Sequence, residues 1–268
     1  MSRQESTEER NNSLLRGFRA LDLTDEKGLL CGRILADLGV DVIKIEKPGG
    51  DPSRNIGPFY HDIPHPEKSL YWVGYNANKR GITLDIETID GQDIFRKLVR
   101  RVDFVIESFP PGYMDNLGLG YSALSEINPR IIVTSITAFG QEGPYSDYKA
   151  SDMVVLALGG QMYLCGDPDR PPVQIGFPQS FLHAGAQGAM GTMIAHYYRE
   201  RTGEGQHVDV SAQESVYLTL LNAPLYWEFY NRNLKREGQY RTGLSVLGAV
   251  QRQVWPCKDG YIIYAIYG

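Results

Sequence analysis

The sequence predicts an α/β fold: an open, mainly parallel sheet covered by helices. Three observations carry that expectation. An apolar run, a helical stripe and a second apolar run follow one another between Phe18 and Glu46, too closely for anything but a βαβ unit. A second helix-then-strand pattern runs from Ile94 to Phe109. A third β-branched run, Ile131–Phe139, has the composition of a strand buried on both faces.

Taken in order, Phe18–Leu23 reads as the first strand. Leu30, Ile34 and Leu38 recur every four residues and Gly39 follows as a stop signal, so Lys27–Leu38 reads as a helix with one buried face. Val40–Glu46 is the second strand. The segment Lys47–Lys79 is rich in Pro, Gly, Asp and His without periodicity, which predicts a long irregular loop of the kind that serves a site. Ile94, Phe95, Leu98 and Val99 form a helical stripe, Val102–Phe109 a strand, Pro110-Pro111-Gly112 a sharp turn and Ser122–Ile127 a short helix. Beyond Gly140, helices are expected over Asp152–Leu164, Phe181–Arg199 and Gln213–Leu221, the last preceded by a strand at Val208–Val210. The helix after Phe181 carries Ala184, Gly185, Gly188, Ala189 and Gly191, small residues that let a neighbour approach its backbone. Asp259-Gly260 between Val254–Cys257 and Tyr261–Tyr267 reads as a β-hairpin turn. The polar leader, residues 1–16, is expected to be disordered, residues 17–225 to form one α/β domain, and residues 226–268 to be a linker and the start of a smaller, truncated domain.

Composition narrows the function. A 268-residue chain with 42% hydrophobic residues can bury a full core, and its net charge of -5 argues against a surface built for nucleic acid. Cys31, Cys165 and Cys257 are widely separated and odd in number, which excludes a disulfide framework or zinc knuckle and fits a reducing cytoplasm. Pro171–Tyr198 lacks Lys, Arg, Asp and Glu, but its His183, Gln187, His196 and glycines favour a buried helix over a membrane span. His61, Asp62 and His65 have helical metal-ligand spacing that Pro64 and Pro66 forbid, so no metal is expected. Gly118-x-Gly120-x-x-Ala123 matches a dinucleotide fingerprint without the preceding strand that the fingerprint needs. Lys44, Lys47, Lys79 and Arg80 flank strand ends, where cations suit phosphate groups.

Several stretches together resemble the family III CoA-transferases of the CaiB/BaiF type. They are Ala20-Leu-Asp-Leu-Thr24, Leu35–Arg54 with its Val-Ile-Lys-Ile-Glu-Lys-Pro-Gly-Gly-Asp core, Asn78-Lys-Arg-Gly-Ile-Thr-Leu-Asp85, Asp103–Gly112, Asn128–Ile132 and Arg201–Ser211. The resemblance implies an enzyme that moves CoA from an acyl-CoA to a carboxylic acid, without a metal, as an interlocked homodimer or a heteromer with an active paralogue. It implies CoA contacts at Lys47, near the adenosine phosphates, at Asn78, Lys79 and Arg80, bordering the nucleotide, and at Phe109, next to adenine. Asn116 stands where such proteins usually carry Arg, and Ser108 where they carry Asn. Their nucleophilic aspartate has no counterpart in Gly176-Phe-Pro-Gln-Ser-Phe-Leu-His183, and no carboxylate occurs between Arg170 and Arg199. The base of racemase relatives is also missing, the matching pair being Ser151-Asp152. Candidates for a rearranged site are Asp152 or a water held by Gln179 and His183. Three readings follow: a working transferase or isomerase, a catalytically silent subunit, or a CoA-ester-binding protein without catalysis.

Overall fold

The computed structural model describes residues 13–220, 223–236 and 251–266. In chain order its elements are β1 (Arg19–Asp22), α1 (Leu29–Asp37), β2 (Asp41–Glu46), α2 (Leu70–Asn76), β3 (Arg80–Thr83), α3 (Ile89–Val99), β4 (Phe104–Glu107), α4 (Tyr113–Asn116), α5 (Tyr121–Ile127), β5 (Ile132–Thr137), α6 (Asp152–Leu158), α7 (Ser180–Thr202), β6 (His207–Ser211), α8 (Ala212–Leu218), α9 (Ala223–Tyr230), β7 (Gln251–Cys257) and β8 (Gly260–Ile266). They divide into two compact units, the described residues of Met1–Lys149 with Phe181–Ala212, and those of Ala150–Ser180 with Gln213–Gly268. The division therefore runs within the segment 17–225 that reads as one domain in the sequence.

The first unit is a six-stranded sheet in the order β3-β2-β1-β4-β5-β6, with every pairing parallel. The chain enters at the centre, winds outward through β2 to β3, then returns beside β1 and winds the other way through β4, β5 and β6. Parallel strands need helical crossovers, and helices on both faces require strands that are apolar on both sides. β4 and β5 are buried at every residue, as such strands must be. Leu21, Phe95, Val105, Leu119, Leu124 and Ile131 form the centre of the core, each fully buried and each contributing about 1.5–3 kcal/mol. The glycines of α7 act as expected: a Cβ on Gly185 would meet Leu30 Cβ at 2.9 Å, and one on Gly188 would meet Ile136 Cδ1 at 2.9 Å. At Gly185 only glycine lets α7 lie this close to α1, whereas at Gly188 a side chain would displace the tip of Ile136 on β5.

Three expectations need correction here. The stretch after Lys47 is not irregular throughout, because it contains α2, started by Ser69, whose side chain accepts from the Trp72 N–H at 3.0 Å. β3 is a strand that the sequence pattern does not reveal; all four of its residues are exposed at the sheet edge. Of the leader, residues 1–12 lie outside the described residues, but Leu15 is buried and its N–H donates to the Leu38 carbonyl at 3.0 Å.

In the second unit, α6 stops at Leu158 rather than at Leu164, because Gly159 and Gly160 follow and Gly160 has φ +87°. β7 and β8 pair antiparallel with Cys257 opposite Gly260, so the turn residues are Lys258 and Asp259, one place earlier than expected. Leu221 and Tyr267, the expected ends of a helix and a strand, lie outside the described residues. Among the described residues no helix is long and apolar enough to cross a membrane, and no cluster of His, Cys, Asp and Glu could hold a metal ion.

Candidate functional site

Where the winding direction of a parallel sheet reverses, the loops after adjacent strands diverge and leave a crevice at the carboxyl ends. Here the reversal falls between β1 and β4, and a cleft of about 420 Å³ lies there. Each neighbouring strand supplies part of its wall: Leu23 and Asp25 after β1, Glu46 and Lys47 at the end of β2, Asp85 and Glu87 after β3, and Phe109 and Tyr113 after β4.

An aromatic pair forms one side. The Phe109 and Tyr113 rings stack with centroids 4.5 Å apart and planes 23° apart, a flat apolar surface suited to a ring. The Tyr113 hydroxyl donates to Glu87 Oε1 at 2.8 Å. Burial, reinforced by that carboxylate, pushes the phenol up to about 12.

Most charges around the cleft are already paired. Arg54 grips Glu46 with two parallel hydrogen bonds of 2.6 and 2.8 Å and lies 4.1 Å over the Trp72 ring. Burial would raise the Glu46 carboxyl, but Arg54 outweighs it and holds the group below the usual carboxylate range. Asp25 accepts from Lys27 and, at 2.8 Å, from the Ser108 hydroxyl. The buried Lys44 ammonium sits 3.3 Å from Asp51 Oδ2 and donates to the Thr24 carbonyl, fixing the turn after β1. Among the described residues, Lys47, Asp85 and Glu87 make no ion pair. The cleft thus offers one cation at the end of β2 and two carboxylates beyond β3.

The expected site residues divide accordingly. Lys47 and Phe109 line the cleft. Asn78, Lys79 and Arg80 do not, because Asn78 and Lys79 precede β3 and Arg80 is its first residue, so all three lie at its opposite end. Lys79 is buried, with its ammonium 2.7 Å from Asp22 Oδ2, 2.9 Å from the Leu29 carbonyl and 3.0 Å from Asn76 Oδ1. All three of its protons are used. Burial lowers the Lys79 pKa despite the Asp22 charge. Arg80 forks onto Asp41 at 2.8 and 2.7 Å, and the Asn78 amide donates to Asp37 at 2.7 Å. Glu87 and Tyr113 were not foreseen; the rule that ligands gather beyond strand carboxyl ends points to them once β3 is known.

Asp152 is buried and fully engaged. Its Oδ1 accepts from the Ser180 N–H at 2.8 Å and the Ser180 hydroxyl at 2.7 Å, while Oδ2 accepts from the Gln174 amide at 2.9 Å. A carboxylate with three donors has lost much of its nucleophilicity, and its position explains the order of the segment leading into α7. Gln179 and His183 are half-buried.

A second, small pocket of about 20 Å³ lies beside Glu107, Ser135 and His207, room for one water at most. The Ser135 hydroxyl is 2.9 Å from His207 Nε2, and the imidazole stacks on Tyr121. Burial pushes the Glu107 carboxyl up to about 7, against the opposing hydrogen bonds from Ser135 and the Phe109 N–H.

A doubly wound parallel sheet with an aromatic-walled, partly charged cleft at its reversal point defines an open α/β protein whose candidate ligand site lies at the strand carboxyl ends. The chain belongs to CoA-transferase family III, whose model matches residues 15–268. It is 40% identical over 252 residues to the succinyl-CoA:(R)-benzylsuccinate CoA-transferase subunit BbsE of Thauera aromatica, covering 94% of this chain and 60% of that protein. It is 37% identical over 234 residues to the succinyl-CoA–D-citramalate CoA-transferase of Chloroflexus aurantiacus, covering 87% and 56%. The fold superposes on a CAIB/BAIF family protein from Brucella suis with a TM-score of 0.83 at 34% identity, covering 94% of this chain and 66% of that one. The chain thus spans about 60% of the length of the relatives it matches.

Proposed function

We propose that this protein serves CoA transfer between an acyl-CoA and a carboxylic acid, binding the nucleotide part of CoA in the cleft while a partner subunit supplies the nucleophile. One observation carries the second half of this reading: the segment entering α7 offers Gln179 and Ser180, and Asp152, the carboxylate that contacts it, is spent on holding Ser180. Thioester activation is conserved only if a carboxylate attacks the acyl carbon, expels the CoA thiolate and forms a mixed anhydride. An amide is barely nucleophilic, and an ester on Ser180 would hold the acyl group at lower energy. The word "subunit" in the description of BbsE is in keeping with a heteromeric assembly. Free thiols at Cys31, Cys165 and Cys257 are in keeping with a cytoplasmic setting.

The test is to incubate the chain with succinyl-CoA, trap with hydroxylamine or borohydride and measure intact mass. No adduct is expected on the parent. Gln179→Asp, at a half-buried position, is expected to gain one, whereas Ser180→Asp would press a second carboxylate against Asp152. A stoichiometric adduct on Asp152 of the parent would overturn the silent-subunit reading.

A further inference from the structure

We propose that Arg54 is a positioning residue of the strand-end cleft, acting through Glu46: it neutralises the carboxylate next to Lys47 and so opens that wall to a polyanionic ligand. The inference rests on the reading that CoA binds in this cleft, and it starts from a mismatch of charge. Asp25, Glu46, Asp51, Asp85 and Glu87 line the cleft against a single lining cation, Lys47. A wall of that composition repels an anion unless its carboxylates are neutralised from behind. Three of them are. Asp25 pairs with Lys27, Asp51 with Lys44 and Glu46 with Arg54, and none of these three cations lines the cleft itself.

Arg54 is held for this task on every side. Its guanidinium takes both oxygens of Glu46, at 2.6 and 2.8 Å, reaches Glu67 Oε1 at 2.9 Å and covers the Trp72 ring at 4.1 Å. A lysine could make neither the fork nor the stack. Glu46 Oε2 also accepts from the Asp51 N–H at 3.0 Å, and the Gly50 N–H donates to the Lys47 carbonyl at 2.9 Å. The carboxylate that Arg54 neutralises therefore also closes the loop that carries Lys47. Glu46, Arg54 and Trp72 all lie outside the hydrophobic core, so the pair can be changed without opening a cavity there.

The experiment is calorimetric titration with CoA of the parent, Arg54→Gln, Glu46→Gln and the double variant at pH 8, at low and high ionic strength, with a urea midpoint for each protein. A pair that is merely structural weakens binding when broken from either side. Neutralisation predicts opposite signs. Arg54→Gln bares Glu46 and should bind CoA about 3- to 10-fold more weakly at low salt, whereas Glu46→Gln leaves the Arg54 charge uncancelled, keeps an acceptor for the Asp51 N–H and should bind about 2- to 5-fold more tightly. The double variant, with the parent's net charge, should fall within about 2-fold of the parent, and both single-variant effects should shrink as salt rises. If the urea midpoint shows Arg54→Gln to be unfolded, Glu46→Gln decides alone. Unchanged or weaker CoA binding by Glu46→Gln would overturn the proposal and leave the CoA reading standing, as would a double variant as weak as Arg54→Gln. Failure of the parent to bind CoA would overturn the CoA reading and this inference with it.

Discussion

Replacing Lys79 by Met removes an ammonium that is 1% exposed from a carboxylate, Asp22, that is 0% exposed. Asp22 would keep its two hydrogen bonds from Thr24, at 2.9 and 2.6 Å, and the more distant Lys44 at 3.9 Å. Burial raises the Asp22 carboxyl, but Lys79 and then Lys44 outweigh it and hold it below the usual range, so losing Lys79 removes the larger of two compensating charges. Breaking a buried pair from one side costs about 3–5 kcal/mol. With Lys44 remaining, the expected loss lies near the lower end, about 3 kcal/mol. Arg80→Ala, the neighbouring change, removes a pair whose cation is 65% exposed and whose carboxylate is 39% exposed, worth about 0–1 kcal/mol. Equilibrium unfolding in urea at pH 7 separates the two. The double variant Asp22→Asn with Lys79→Met should recover more than half of the single loss, because no uncompensated charge remains. Equal midpoints for Lys79→Met and Arg80→Ala would refute the reasoning. A consequence for binding studies is that weaker CoA affinity in a Lys79 variant would report on folding rather than on a phosphate contact.

Two other perturbations test the same account. Glu107 is protonated more readily folded than unfolded, so its contribution to stability is present below about pH 4.5 and is lost as pH rises through about 7; Glu107→Gln should remove that loss and be more stable than the parent above pH 7, by up to about 2–3 kcal/mol, and an unchanged pH profile in denaturant titrations would contradict it. Asp152→Ala should cost about 1–2 kcal/mol by orphaning the Ser180 donors, whereas Asp152→Asn, which keeps an acceptor, should cost less than half as much; equal losses would show that the side chain is not acting through those bonds.

Much of the sheet was legible because β1, β2, β4 and β5 are largely apolar or β-branched runs in a βαβ order, the composition that burial between helices favours. β3 escaped notice since an exposed edge strand of four residues, Arg80-Gly-Ile-Thr83, needs no apolar pattern. α2 escaped for a related reason: none of its residues is buried, so nothing imposes a stripe on its sequence. In the cleft, Lys47 could be found because it directly follows a recognisable strand, whereas Phe109 was reached through the family resemblance of Asp103–Gly112. Glu87 and Tyr113 depend on which loops the strand order brings together. Lys79 shows the limit of reading cations locally, since a lysine before a strand looks the same whether it awaits a phosphate or is buried against an aspartate 57 residues away.

The central claim is that CoA is held at the reversal point of the sheet, against the Phe109 and Tyr113 rings. Isothermal titration of CoA into the parent chain and into Phe109→Leu tests it most directly, since leucine keeps the apolar packing beneath the cleft and removes only the flat face. Stacking on an aromatic side chain is worth about 1–3 kcal/mol per base, so Phe109→Leu should bind CoA about 5- to 150-fold more weakly than the parent. Equal affinities, or no binding heat from either protein, would contradict the claim.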